Sequence, residues 1–204
     1  MTADATADMT ISVGFYGKMP GRGDFLRHGW DDATVEALDL WLADGLAAWR
    51  PGDDAEFAAH FAAAPLYDFY LPAGWIGPDA LLGVISPSVD RAGRYFFLVA
   101  GVAGPAATLW HMAVNHADFA CAAADAVYQA LGPDSDPNAL VEAIAAALPG
   151  DLAAVPWRAR LATPADAVFW AEGDGDPLII RSPCLDAKLL SALLDTTPIT
   201  GGVA

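Results

Sequence analysis

Basic residues are scarce in this chain of 204: ten lysines and arginines face 26 aspartates and glutamates, a formal net charge of −16. So acidic a surface repels phosphate backbones and anionic headgroups. It excludes the electrostatic routes to nucleic acid and to anionic lipid, and it favours solubility. Cysteine is scarcer still. Cys121 and Cys184 form no CxxC pair and no disulfide framework, the usage of reduced thiols in a cytosolic protein. The opening MTADATADMT carries aspartates and no basic start, so it does not read as a secretory signal, and a cytoplasmic location is expected. His28, His60, His111 and His116 make no HExxH and no Cys/His ligand pair. Ser86 and Ser88 flank Pro87 outside any GxSxG elbow. Carboxylate pairs such as Asp53-Asp54 and Asp174-Asp176 sit in turn-like contexts and read as caps and solvated turns. These absences predict no metal, no cofactor and no catalytic set, hence no enzyme. One uncharged run, Tyr95 to Val114 with only His111 titratable, is long enough to cross a bilayer. Gly101, Gly104 and Pro105 break it, so it reads as strand, turn and helix start, and no integral membrane segment is expected.

What is present is a globular composition, 55% hydrophobic and 18% charged, of a length that suits one domain. Ile11 to Tyr16 reads as a strand closed by Gly17 and Pro20. Asp31 or Asp32 caps a helix to about Trp49, with Val35, Leu38, Leu42, Leu46 and Trp49 on one stripe. Pro51-Gly52 follows, then a short helix from Asp53 or Asp54 to Ala64. Three strands are predicted at Leu66–Leu71, Ala80–Ser86 and Arg94–Val102. The last two form an antiparallel hairpin whose loop runs from Pro87 to Gly93. The unbroken apolar character of the third implies cover on both faces. Helices follow over Ala106–Leu131, broken near Asn115, and over Asn138–Leu148. Strands at Ala167–Ala171 and Leu178–Arg181 and a helix over Leu185–Leu194 complete the chain. The order implies an α/β single-domain sandwich, with a mostly antiparallel or mixed central sheet flanked by helices.

Two loops hold the unusual chemistry. VGFYGKMPGRGDFLRHGW, Val13 to Trp30, looks like a phosphate loop but lacks its logic. Met19 and Pro20 follow Gly17-Lys18, so the magnesium-binding hydroxyl is missing and one backbone donor is removed. Arg22-Gly23-Asp24 reads as a turn whose charged flanks grip other loops rather than as an adhesion signal. The second loop region, Gly77 to Phe97, repeats this chemistry with Asp79, Asp90, Arg91 and Arg94. Lys18, Arg22, Arg27, Arg91 and Arg94 are half of all ten basic residues. Such a concentration points to ion pairs that fix the loops, to a patch read by a partner or anion, or to both. The two loops are expected to touch, with Arg22 or Arg94 pairing Asp90 or Asp24. Lys18 and Arg91 are then left to meet a partner.

GFYGKMPGRGDFLR followed by GPDALLGVISPSVDRAGRYFFL resembles the N-terminal domain of the TagF (ImpM) family of bacterial type VI secretion clusters. Gly14, Gly17, Lys18, Pro20, Arg22, Gly23, Asp24 and Phe25 fill the first part of the family pattern. Gly77, Pro78, Asp79, Pro87, Ser88, Asp90, Arg91, Gly93, Arg94 and Tyr95 fill the second. Phe97 stands where the pattern often has proline. The resemblance implies a cytoplasmic regulator that represses secretion post-translationally by binding the forkhead-associated scaffold Fha. It implies an accessory regulator and not a part of the machine; the metal-dependent phosphatase domain fused to some relatives is not expected in a chain this short. On this reading residues 1–9 are a flexible N-terminus and 10–204 one domain, with a motif-bearing core at 10–131 and a C-terminal part at 132–204. Lys18, Arg22, Gly23, Asp24, Asp79, Ser88, Asp90, Arg91 and Arg94 are the family-motif and partner-facing candidates. The rival expectation is an anion- or nucleotide-binding protein, or a small enzyme, using the basic loops at 17–27 and 86–94.

Overall fold

A computed structural model describes residues 10–49, 53–150, 163–171 and 177–195. The expectations for residues 1–9, Pro51-Gly52 and Asp174-Asp176 lie outside them. Seven strands form one sheet: β1 Ser12–Gly17, β2 Leu26–His28, β3 Tyr67–Leu71, β4 Ala80–Val89, β5 Tyr95–Gly104, β6 Ala167–Ala171 and β7 Leu178–Ser182. They lie in the order β2-β1-β5-β4-β3-β6-β7, and each neighbouring pair is antiparallel. The expectation of a mostly antiparallel sheet therefore sharpens to a purely antiparallel one among the described residues.

The helices divide between the faces. On one side lie α1 Asp32–Ala48, α2 Asp54–Ala63 and α6 Ala187–Leu194. On the other lie α3 Ala106–Asn115, α4 Ala117–Ala130 and α5 Pro137–Ala146. Central strands β4 and β5 feed both cores by simple alternation. Leu81, Ile85, Phe97 and Val99 face the first; Leu82, Val84, Leu98 and Ala100 face the second. That is why these strands read as unbroken apolar runs.

Local chemistry sets the helix ends. Asp31 caps α1 by accepting the Thr34 N–H at 2.8 Å, and Asp53 caps α2 by accepting from Ala55 and Glu56 at 3.0 Å. Leu38 and Leu42 on the buried stripe of α1 are wholly enclosed. Each such side chain contributes roughly 1.5–3 kcal/mol by leaving water. Trp41 donates its indole N–H to the Asp186 carbonyl at 3.2 Å, and Trp49 to the Asp195 carboxylate at 2.8 Å, so α6 is tied along α1.

Three details depart from the sequence reading. The hairpin strand β4 runs past Ser86 to Val89 despite Pro87. Beyond Ile85, which faces Tyr67, β4 has no β3 residue in register, so among the described residues Pro87 has a strand on one side only, where a missing N–H is tolerated. The turn is correspondingly tighter, with Gly93 at φ +77° and its N–H bonded to the Asp90 carbonyl at 2.9 Å. Strand β2 has no counterpart in the sequence pattern; it folds the far end of the first loop back onto β1, Phe15 facing His28.

Candidate functional site

The two motif loops meet at one corner of the sheet. β1 ends at Gly17 with φ +138°, and a Cβ there would fall 2.0 Å from the Phe97 carbonyl, so only glycine fits. The turn delivers the Lys18 N–H to the Phe97 carbonyl at 3.0 Å and sends the Lys18 side chain inward. Its ammonium lies 3.2 Å from Asp90 Oδ2 and 4.8 Å from the centre of the Phe25 ring. Ser88 donates to the Lys18 carbonyl at 2.8 Å, the Arg91 N–H to the Arg22 carbonyl at 2.8 Å, and Arg94 Nη2 to the Gly23 carbonyl at 2.5 Å.

Asp90 is the knot of this corner. Its side chain is fully buried. Oδ1 accepts the Ala92 N–H at 2.8 Å and the Arg94 N–H at 3.0 Å; Oδ2 accepts Arg94 Nε at 2.6 Å and faces Lys18. Burial alone would raise the carboxyl pKa. The Arg94 backbone N–H, the Lys18 ammonium, the Arg94 guanidinium and the Ala92 N–H together outweigh it and hold the group well below the usual carboxylate range. A carboxylate so engaged is permanently charged near neutrality and has no free lone pair with which to take a proton.

Phe25 completes the corner. Although half exposed, it stacks on Tyr16 at 5.7 Å between ring centres and meets Phe96 edge-on at 4.8 Å. Tyr16 donates to Asp39 of α1, and burial followed by that contact pushes its phenol pKa well above the ordinary value. Sequence reasoning placed Phe25 in the motif but gave it no role, and it missed the Tyr16–Asp39 link. An aromatic residue seven places after Lys18 is the only hint of either.

The structure brings together Lys18, Arg22, Gly23, Ser88, Asp90, Arg91 and Arg94. The expected contact between loops is there, with two corrections. The ion pair across the loops is Lys18–Asp90; Arg94–Asp90 lies within the second loop, and neither Arg22 nor Asp24 forms an ion pair among the described residues. Lys18, expected to face a partner, is only 6% exposed and cannot. Arg22, Asp24, Arg91 and Arg94 form the outer surface, with the Arg91 guanidinium 3.7 Å from where a Gly23 Cβ would stand. Asp79 is not part of the corner. It precedes Ala80, at the other end of β4 from Asp90, about 35 Å away by strand rise. There Gly77 packs against α1 so closely that a Cβ would fall 2.4 Å from Thr34 Oγ1.

The corner's donors are largely spent on itself. The Lys18 and Arg22 N–H groups bond to the Phe97 and Met19 carbonyls, so they do not form a cradle for phosphate. No group of three or more His, Cys, Asp or Glu among the described residues is placed to hold a metal, and no described helix is long and apolar enough to cross a membrane. The arrangement makes a stiff corner that presents arginines and one aromatic edge.

Comparison with known proteins bears on what meets that corner. The model of the TagF N-terminal domain family, type VI secretion system-associated, matches residues 14–147. The fold is similar to the crystal structure of PA0076 from Pseudomonas aeruginosa PAO1, with a TM-score of 0.73 and 26% identity. That match covers 95% of this chain and 100% of the other. No curated protein matches the sequence.

Proposed function

Because the chain belongs to the TagF N-terminal domain family of type VI secretion system-associated proteins, we propose that it is a post-translational repressor of such an apparatus. It acts in the cytoplasm, without catalysis of its own, by binding the forkhead-associated scaffold Fha. The observation that carries this reading is the corner itself. Residues from both halves of the family motif converge on the buried Asp90 carboxylate, which the buried Lys18 and the exposed Arg94 hold in place. A surface fixed so firmly, with Arg22 and Arg91 outward, suits recognition by a protein more than turnover of a substrate. An acidic body with a cationic corner also steers an acidic partner surface toward that corner.

The test is to overproduce the chain in a secreting strain and follow effector release and Fha association in parallel. Release should fall, and the complex should be recovered. Unchanged release with no complex rejects the reading. The exposed arginines around Gly23 keep one rival in view, an anion site. A rise in melting temperature with inorganic phosphate or nucleotide, lost in Arg91→Ala, would favour it.

A further inference from the structure

Where β4 outruns β3, the sheet has a short free edge. Residues 86–89 lie beside β5 on one side and, among the described residues, have no strand on the other. The Asp90 N–H donates to the Arg94 carbonyl, while the Phe97 carbonyl turns the opposite way to accept from Lys18. Counting back by alternation, the backbone N–H and C=O of Val89 and the C=O of Pro87 point to the vacant side. That side opens into a groove of about 370 Å³, lined by Pro20, Leu66, Pro87, Val89, Tyr128 and Leu131. Its walls are mostly apolar, with Ser86 and Ser88 among them, and Tyr128 at the end of α4 is 76% exposed beside it. Two residues beyond Pro20 and Val89 stand Arg22 and Arg91, joined through their main chains. The trough thus ends at the cationic corner.

We propose that this groove docks an extended, acidic segment of a partner protein. The segment lies along the free edge of β4, sets bulky apolar side chains into the trough, and points carboxylates at Arg22 and Arg91. The inference rests on the reading that the family partner is a protein, and it names the part of that protein that binds. An added strand supplies side chains to one face at every second residue, which suits a trough that runs beside a strand edge. Pro87 offers an acceptor but no donor, so register is set by the single N–H at Val89. Charge selects among occupants. A second copy of this chain would bring −16 against −16. A nucleic acid would need a basic track far longer than two arginines. An acidic peptide meets, in Arg22 and Arg91, two exposed cations at the end of the trough that attract it.

The test places p-benzoylphenylalanine at Tyr128 and irradiates the chain with purified Fha scaffold from the same strain. The adduct is expected within a scaffold segment where acidic residues outnumber basic ones and bulky apolar residues recur. Tyr128→Asp should weaken scaffold binding about tenfold or more, as loss of a buried aromatic anchor does, with the unfolding midpoint unchanged. Arg91→Glu should weaken it too and flatten its dependence on salt. Normal scaffold binding by Tyr128→Asp, or cross-links only between two copies of the chain, would overturn the groove while leaving the proposed function standing. No scaffold binding by the unaltered chain would overturn that function, and this inference with it.

Discussion

The two ends of β4 both carry family-motif residues, yet they are built on different physics. At the Val89 end, shape is held by charge: a buried carboxylate with four donors, two of them cationic side chains. At the Ala80 end, shape is held by fit: Gly77 leaves just enough room for Thr34 on the first turn of α1, and Asp79 is exposed. The first end displays arginines around a stiff frame. The second joins the sheet to a helix. Motif residues thus divide into those that stiffen an arginine-bearing corner, the contact proposed above, and those that keep the layers together.

The sharpest way to break this contrast is Asp90→Asn. It leaves Lys18 buried with no counter-charge, and the expected loss is about 3–5 kcal/mol, read from urea unfolding. Adding Lys18→Met should recover part of it by removing the stranded charge. A fall of less than about 1 kcal/mol would show that the pair behaves as an exposed one. The same carboxylate gives a pH signature. Its folded pKa lies below its unfolded value near 3.9, so its contribution is complete above the unfolded value. That contribution disappears as acid approaches the folded value. Stability should therefore decline more steeply below about pH 4 in the unaltered chain than in Asp90→Asn, compared by thermal unfolding across that range.

The other end answers to volume. Gly77→Ala should cost about 1–3 kcal/mol by overpacking against Thr34 and should leave the acid limb of the pH profile unchanged. Thr34 also bonds the Asp31 carboxylate through Oγ1 at 3.1 Å. The relief given by Thr34→Ala must therefore be measured in a double-mutant cycle, where a favourable coupling is expected. The smallest effect belongs to an ion pair outside both ends. Arg27 and Asp32 meet at 2.6 Å but are 59% and 87% exposed, so Arg27→Ala should change stability by about 0–1 kcal/mol.

The sequence told much of this through pattern and little of it through contact. The β4–β5 hairpin, the α1 stripe and the α3–α4 break were legible because period, caps and breakers act locally. The true break is at His116, one residue from its expected place. Pro87 misled, because a proline ends a strand only if the strand has a neighbour on the side that needs the N–H. The short edge strand β2 was hidden inside a motif whose glycines read as loop. The meeting of the two loops could be inferred from matched charges on neighbouring strands. Which cation turns inward could not, since that depends on the positive φ of Gly17 and on where Phe97 stands beside it. Asp79 joined the candidates by motif, and the length of β4 separates it from them.

One measurement bears most directly on the claim that the locked corner is a protein-binding surface. Purified chain is titrated with purified Fha scaffold by calorimetry, in parallel with the Arg22→Glu/Arg91→Glu double variant. Both side chains are exposed and outside the Asp90 knot, so the variant should unfold at the same midpoint. The account predicts saturable binding by the unaltered chain and at least about a tenfold loss in the variant, the scale of about 1.4 kcal/mol. Equal affinity in the two, or no binding by the unaltered chain, would contradict it.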